Sequence, residues 1–307
     1  MPGTLDAQTI ATLRDGEAVD AVFACTRKQR LLTRAGTPYL ALELRDASGS
    51  MTARAFRDAD LLAGTFERGD LVRARGRTER FRGELQLALE RIERVELDEQ
   101  QAAQFLPVSR RDLDELEGFF EHLVREVYDP PLRALLEAIL ADGELRAELR
   151  RAPCSLPGPG AHARSAAGSS AHHAFLGGLI EHTVGVATLA IELCAVHPRL
   201  DRDLLLCAAL VHDIGKTREY DYGAEISLSQ EGRMLGHIEL GLRVIATHAP
   251  ASLQGERRLA LEHCVLAHHG DRGGGTPTQR PASAEALALQ RLNALDASVK
   301  GAFERGL

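Results

Sequence analysis

The chain has 307 residues, 44% hydrophobic and 26% charged, an ordinary balance for a globular protein with room for two domains. A net charge of −7 excludes a polycation built along its whole length to hold nucleic acid, and five scattered cysteines with no C-x-x-C pair argue against a disulfide framework or a thiolate zinc site. The first residues lack a basic and apolar leader and nowhere do about 18 apolar residues run uninterrupted, which predicts a cytoplasmic protein with no membrane partner.

The charge is uneven. Residues 19–98 hold 15 Lys and Arg against 13 Asp and Glu, so the amino-terminal third is the relatively basic part of an acidic chain. The same third is made of short β-type runs. Leu40, Leu42 and Leu44 alternate with Tyr39, Ala41, Glu43 and Arg45, the period of two of a half-buried strand, while "DASGS" (46–50), "RGD" (68–70) and "FRGE" (81–84) supply turns. Five short antiparallel strands and a brief helix near 58–64 predict a small closed barrel of the five-stranded OB type over residues 1–98, a shape that offers one face to oligonucleotides. Phe23, Tyr39, Phe56 and Phe81 fall in four strand regions, and Arg73, Arg75, Arg77, Arg80 and Arg82 cluster beside the last of them. Tyr39, Phe56 and Phe81 with these arginines are the candidates for a nucleic-acid face, because bases stack on rings while cations follow the phosphates. The plainer reading of each is an aromatic ring in the barrel core or an arginine stem lying over apolar surface.

Beyond Val95 the pattern turns helical. "DEQQAAQFLPVSRRDLDELEGFFEHLVREV" and "DPPLRALLEAILADGELRAELRRA" read as helices broken at Pro107, Pro130 and Pro131, a helical connector over residues 99–152. Residues 153–307 form the next domain, opening on a Gly/Pro/Ser-rich stretch that ends in two histidines. Helices are predicted over 175–197, 201–216, 231–249, 256–270 and 283–304. In the first, Leu176, Ile180, Val184 and Ile191 form a core stripe with Glu181 and His182 off it; the second is apolar almost all round, capped by Asp201 and ended by Gly215.

That second helix carries His212 and Asp213 at its buried end, in "CAALVHDIGK". An ionised aspartate there needs a cation. Imidazole nitrogen and carboxylate oxygen without thiolate suit a transition ion better than calcium, manganese first, with magnesium, cobalt, iron, nickel and zinc as alternatives. His182 one helix earlier, His237 one helix later and the pair His268 and His269 on the next supply further donors.

The ordered set "GGLIEHT", "LLLCAALVHDIGK", "GHIELG" and "LAHHG" resembles the successive motifs of HD-domain metal phosphohydrolases. "HHAFLGGLIEHT" with "EGRMLGHIELG" is similar to one subgroup, the YhaM-type 3′-to-5′ exoribonucleases, which place an OB domain ahead of the HD domain. The resemblance implies a multidomain α and β protein, with an OB-type barrel, a helical connector and an all-α HD domain in that order. It implies a metal-dependent hydrolase that degrades single-stranded RNA to mononucleotides from the 3′ end, with single-stranded DNA as a second substrate. It assigns metal ligation to His182, His212 and Asp213, and a second metal or the phosphate to His237, His268 and His269. Asp213 or His237 would steer the proton, and Lys216 would neutralise a phosphate oxygen or help the leaving group. The chain departs from the pattern at Asn293, which stands where the family's last helix carries an aspartate ligand; Asp296, one turn on, is the other candidate ligand. Two other readings share these motifs: a phosphohydrolase acting on a small nucleotide, and a non-catalytic binder of single-stranded nucleic acid. "RGGGTP" (272–277) reads as a flexible rim, His162, His197, His248 and His263 have no evident partners, and the sequence carries no signal for oligomeric state.

Overall fold

The computed structural model describes residues 8–97, 99–157, 172–223, 225–270 and 279–304; "RGGGTP" and His162 lie outside the described residues. The chain divides into two compact units, Met1–Pro107 with Tyr222–Ser227, and Val108–Asp221 with Leu228–Leu307.

In the first unit, alternation builds a closed barrel. Its strands are β1 (Ala18–Leu32), β2 (Pro38–Asp46), β3 (Gly49–Ala55), β4 (Leu71–Phe81) and β5 (Glu84–Val95), closing in the order β1-β2-β3-β5-β4 with the short helix α1 (Ala59–Ala63) between β3 and β4. The named pairings are antiparallel except the parallel contact of β3 with β5, which closes the cylinder. Leu40, Leu42, Leu44, Met51, Ala53, Val72, Ala74 and Leu87 point inward with Phe23, which is core and not surface. β1 runs well past "AVFAC": its polar half pairs with β2 as far as Leu32 opposite Pro38. Backbone hydrogen bonds hold that half, so its side chains need not alternate. At the bulge between Arg75 and Gly76, a Cβ on residue 76 would lie 2.1 Å from the Ala88 carbonyl oxygen, so only glycine lets β4 approach β5 there. The β4–β5 turn takes positive φ at both Arg82 and Gly83, the two-residue hairpin geometry that matches strand twist.

The expected connector does not stand alone. α2 (Glu99–Ala103) falls with the barrel, and α3 (Leu113–Arg125), α4 (Pro130–Ala141) and α5 (Gly143–Arg151) belong to the helical unit. Asp112, Asp129 and Asp142 cap them in turn, each carboxylate accepting backbone N–H groups of the first turn. α6 (Gly178–Val196), α7 (Arg202–Val211), α8 (Lys216–Glu219), α9 (Gln230–His248), α10 (Gly255–Ala267) and α11 (Ala284–Glu304) complete this unit. α3, α5, α7 and α11 all pack on α6. Its first turns are therefore buried on every side, Glu181 and His182 included, whereas Ile191 is only half-buried; the single stripe expected from the sequence is replaced by a fully enclosed amino-terminal half.

Candidate metal centre and nucleic-acid face

Five helices deliver the predicted donors to one place. α7 stops at Val211, and His212 and Asp213 occupy the tight turn that leads into α8. Gly215 follows that turn with a φ of −65°, so it is not there for left-handed backbone. Its role is close approach: a Cβ there would lie 1.9 Å from the His237 carbonyl oxygen and 2.4 Å from the Gly241 nitrogen. α9 breaks at Gly236, whose φ is 72°. The kink frees the backbone N–H of His237, which donates to Glu219 Oε1 at 3.0 Å.

Asp213 is the hub, and only 1% of it is exposed. Its Oδ2 faces His182 Nε2 at 3.6 Å, His212 Nε2 at 3.3 Å and Lys216 Nζ at 2.7 Å. Its Oδ1 faces His268 Nε2 at 3.5 Å and His237 Nε2 at 3.7 Å, and His269 Nε2 lies 2.9 Å from His237 Nε2. Each of four imidazoles is held from behind by an acceptor on Nδ1: the Asp296 carboxylate for His182 (2.6 Å), the Ala209 carbonyl for His212 (2.9 Å), the Glu219 carboxylate for His237 (3.1 Å) and the Val265 carbonyl for His268 (2.5 Å). A carboxylate or carbonyl can only accept, so Nδ1–H donates in every case and each neutral ring turns a lone pair on Nε2 toward Asp213. Burial disfavours the charged form of three of the cluster's imidazoles, pushing His182 down to about 3 and His268 down to about 4, and His269 lower still. Burial works against ionisation of Asp213 as well, but the Lys216 ammonium beside it outweighs that and holds the carboxyl well below the usual carboxylate range. The same pair works in reverse on Lys216: desolvation disfavours its charge and Asp213 restores it, holding the ammonium well above its ordinary value. Lys216 is thus a buried counter-ion and not a solvated lysine.

Such a set fits a divalent cation. The lone pairs of His182 and His212 meet at 3.3 Å beside a carboxylate oxygen with no hydrogen left to share. Asp213 Oδ1 and His268 Nε2 are both buried without a hydrogen-bond partner. Donors to one transition ion at about 2.1 Å lie about 3–3.5 Å apart, close to the spacings on both sides of Asp213. Two donor groups result, His182 with His212 and Asp213, and Asp213 with His237, His268 and His269, each with its ligand atoms within 4.8 Å of one another. The last helix contributes differently from the expectation. Asp296 sits on the far nitrogen of His182, while Asn293 is buried with its amide directed at the His268 carbonyl at 3.5 Å. Sequence reasoning missed Glu219, which nothing marks until the α9 kink brings His237 over it, and also Cys154 and His172, which lie close to His182.

On the barrel, Tyr39 and Phe56 stack with ring centres 5.3 Å apart, and Phe56 is 51% exposed. They continue the β2–β3 pairing one step beyond Leu40 opposite Ala55. The Arg54 guanidinium lies 4.9 Å from the centre of the Phe81 ring, and that of Arg82 lies 5.4 Å from it. Arg54, two residues before Phe56 on the same strand face, was not among the predicted residues. The other arginines have partners of their own. Arg73 and Arg75, on β4 between β1 and β5, pair with Asp20 at 2.6 and 3.0 Å; Arg77 bonds the Gly16 carbonyl and Arg80 the Gly83 carbonyl. The structure therefore joins Tyr39, Phe56, Phe81 and Arg82 with Arg54 around β2, β3 and the β4–β5 turn, with Arg77 across Ala88 from Arg54, and ties Arg73 and Arg75 to Asp20.

A barrel carrying stacked aromatic residues and a helical unit carrying a histidine and aspartate cluster define an OB-fold protein with an HD-type, divalent-metal-binding hydrolase domain. Family matches follow the same division: OB-fold nucleic acid binding domain over residues 24–95 and HD domain over residues 179–298. Among curated proteins, the 3′-5′ exoribonuclease YhaM of Oceanobacillus iheyensis is 30% identical over 286 residues, covering 92% of this chain and 85% of that one. Those of Shouchella clausii and Bacillus subtilis are each 28% identical, covering 95% and 92% of this chain and 88% and 86% of their own. The chain belongs to the YhaM family of 3′-5′ exoribonucleases.

Proposed function

We propose that this protein is a metal-dependent 3′-to-5′ exoribonuclease that holds single-stranded RNA on the β2–β3 face of its barrel and hydrolyses it to mononucleotides at the cluster around Asp213, with manganese as its working cation. The observation that carries this reading is the shared carboxylate, with inward-facing imidazole lone pairs on both of its oxygens. When bound there, divalent cations acidify water and draw charge from the scissile phosphate. The chain's own residues prepare that chemistry. Asp213 fixes the interval between the donor groups, Lys216 keeps it ionised, and the acceptors on Nδ1 keep each Nε2 unprotonated. Of His182 and His237, the two cluster imidazoles backed by a carboxylate, only His237 has an exposed edge, at 14% of its side chain. His237 is accordingly the carboxylate-backed ligand that solvent reaches. The partly exposed Tyr39–Phe56 stack supports a single-stranded polymer as substrate, since rings accept any base and confer no strong sequence preference.

The deciding experiment follows 5′-labelled single-stranded RNA incubated with metal-stripped protein to which manganese is returned, beside a His212→Ala/Asp213→Ala control. Stepwise shortening of the labelled strand that requires both the cation and the pair is expected. Binding without shortening, whichever divalent cation is supplied, overturns the proposal in favour of a non-catalytic binder. Tyr39→Ala and Phe56→Ala are each expected to weaken RNA binding by about 1–3 kcal/mol, the range for loss of one stacking ring. Hydrolysis of a dinucleotide, which calls only on the cluster, should be unchanged in both. Equal losses on RNA and dinucleotide would point to a small-nucleotide substrate and to distorted barrels, which circular dichroism would report.

A further inference from the structure

Beside the first donor group lies a thiol that hydrolysis does not use. Cys154 follows α5 and is fully buried. Its N–H donates to the His173 carbonyl at 3.0 Å, while the next side chain, Ser155 Oγ, accepts the His172 N–H at 3.1 Å and donates to the His172 carbonyl at 2.8 Å. Residues 154–155 and 172–173 are thereby clamped together by one backbone bond and two bonds of the Ser155 hydroxyl, and the clamp sets two side chains against each other. Cys154 Sγ lies 3.7 Å from His172 Nε2, 3.4 Å from Lys216 Nζ and 3.8 Å from Asp213 Oδ2. The ligand atoms of Cys154, His172 and His182 all lie within 4.8 Å of one another. All five cysteines are buried and free, yet among the described residues only Cys154 belongs to a cluster of metal donors. The scattered cysteines of the sequence argued against a thiolate site because no two are close in the chain; the structure assembles one thiol with imidazoles from two other points of the chain.

One sulfur and two nitrogens form a softer set than the imidazole and carboxylate donors around Asp213, and it suits zinc rather than manganese. It also draws on His182, a member of the first donor group. We propose that Cys154, His172 and His182 form a zinc-binding site whose occupancy withdraws His182 from that group and so switches hydrolysis off. Binding breaks the S–H bond, forms a sulfur–metal bond and releases the proton to solvent, with the Lys216 ammonium beside the new thiolate. The inhibitory half of this inference rests on the exoribonuclease reading; the binding half does not.

Cobalt separates the two, because a cobalt–thiolate bond gives a charge-transfer band in the near ultraviolet that imidazole and carboxylate ligands do not. Titrating metal-stripped full-length protein with cobalt should produce that band in the wild type. In Cys154→Ser, a substitution of one buried atom, the band should be absent while the sites around Asp213 still fill. His172→Ala, at a partly exposed position, should weaken cobalt binding at the sulfur site without loss of fold. Zinc added to manganese-activated protein should inhibit the wild type, and Cys154→Ser, retaining manganese-dependent activity, should need about tenfold more zinc or higher for the same inhibition. A wild type that binds cobalt without the band, a band that survives in Cys154→Ser, or unaltered zinc inhibition in that variant would each overturn the proposal. Should no form of the protein shorten RNA, the cobalt band still decides whether the site exists.

Discussion

Asp213→Asn is expected to abolish metal-dependent hydrolysis and to destabilise the protein, two effects with separate causes. The carboxylate serves both donor groups, each oxygen facing a different pair of imidazoles. Loss of a residue that merely orients a ligand already costs about 10–100-fold in metal affinity, so loss of the shared ligand should exceed about a hundredfold in each group. The stability loss comes from Lys216. Its ammonium is buried and bonds Asp213 Oδ2 at 2.7 Å, and an amide in that place leaves a buried charge uncompensated, a change of about 3–5 kcal/mol. Adding Lys216→Met should restore stability, read by chemical denaturation of the metal-stripped protein, and should not restore activity. A single variant as stable as the wild type would show that Lys216 is not held charged by Asp213. A double variant that degrades RNA would remove Asp213 from the chemistry.

The second large effect concerns Asp296. This residue lies behind His182, on Nδ1, and not among the atoms that face His212. In Asp296→Ala the buried Nδ1–H loses its acceptor, and the ring is free to move its hydrogen to Nε2, where it blocks ligation. Metal affinity in the first donor group should fall by about 10–100-fold while the second group is unaffected, so that a calorimetric titration shows one shifted step and one preserved. Asp296→Asn keeps a carbonyl acceptor for Nδ1–H and should lie between the wild type and the alanine variant. An asparagine variant as impaired as the alanine one would mean that the carboxylate charge acts directly on the metal, as a ligand. Glu219→Ala should give the mirror image, with only the second group weakened.

Much of this was legible in the amino-acid order, for identifiable reasons. The alternation of Leu40, Leu42 and Leu44 announced a two-faced strand because a barrel wall has one wet side and one dry side. The polar second half of β1 carries no such signal, since it is held through its backbone against β2. The histidines and Asp213 could be picked out as donors because they interrupt apolar helices. Their orientation could not be read, because it depends on acceptors found only after folding. For His212 and His268 the acceptor is the carbonyl three residues earlier at a helix end, but for His182 and His237 it is a carboxylate from another element. Cys154 and His172 are closed into one site by a clamp between segments 18 residues apart, and nothing local in either segment declares it.

Gly215 has a meaning beyond its place in the "HDIGK" run. It has no side chain to ligate anything, yet the contact of its α-carbon with the His237 carbonyl and the Gly241 nitrogen presses the start of α8 directly onto α9. The interval between Asp213 and His237 is therefore gauged by two main chains touching. A methyl group at position 215 acts as a shim, lifting His237 away from Asp213 while His182 and His212 keep their places. In a saturation screen this glycine would score as intolerant as the histidines, and its failing variants would be folded proteins with one half of the centre out of reach of the other.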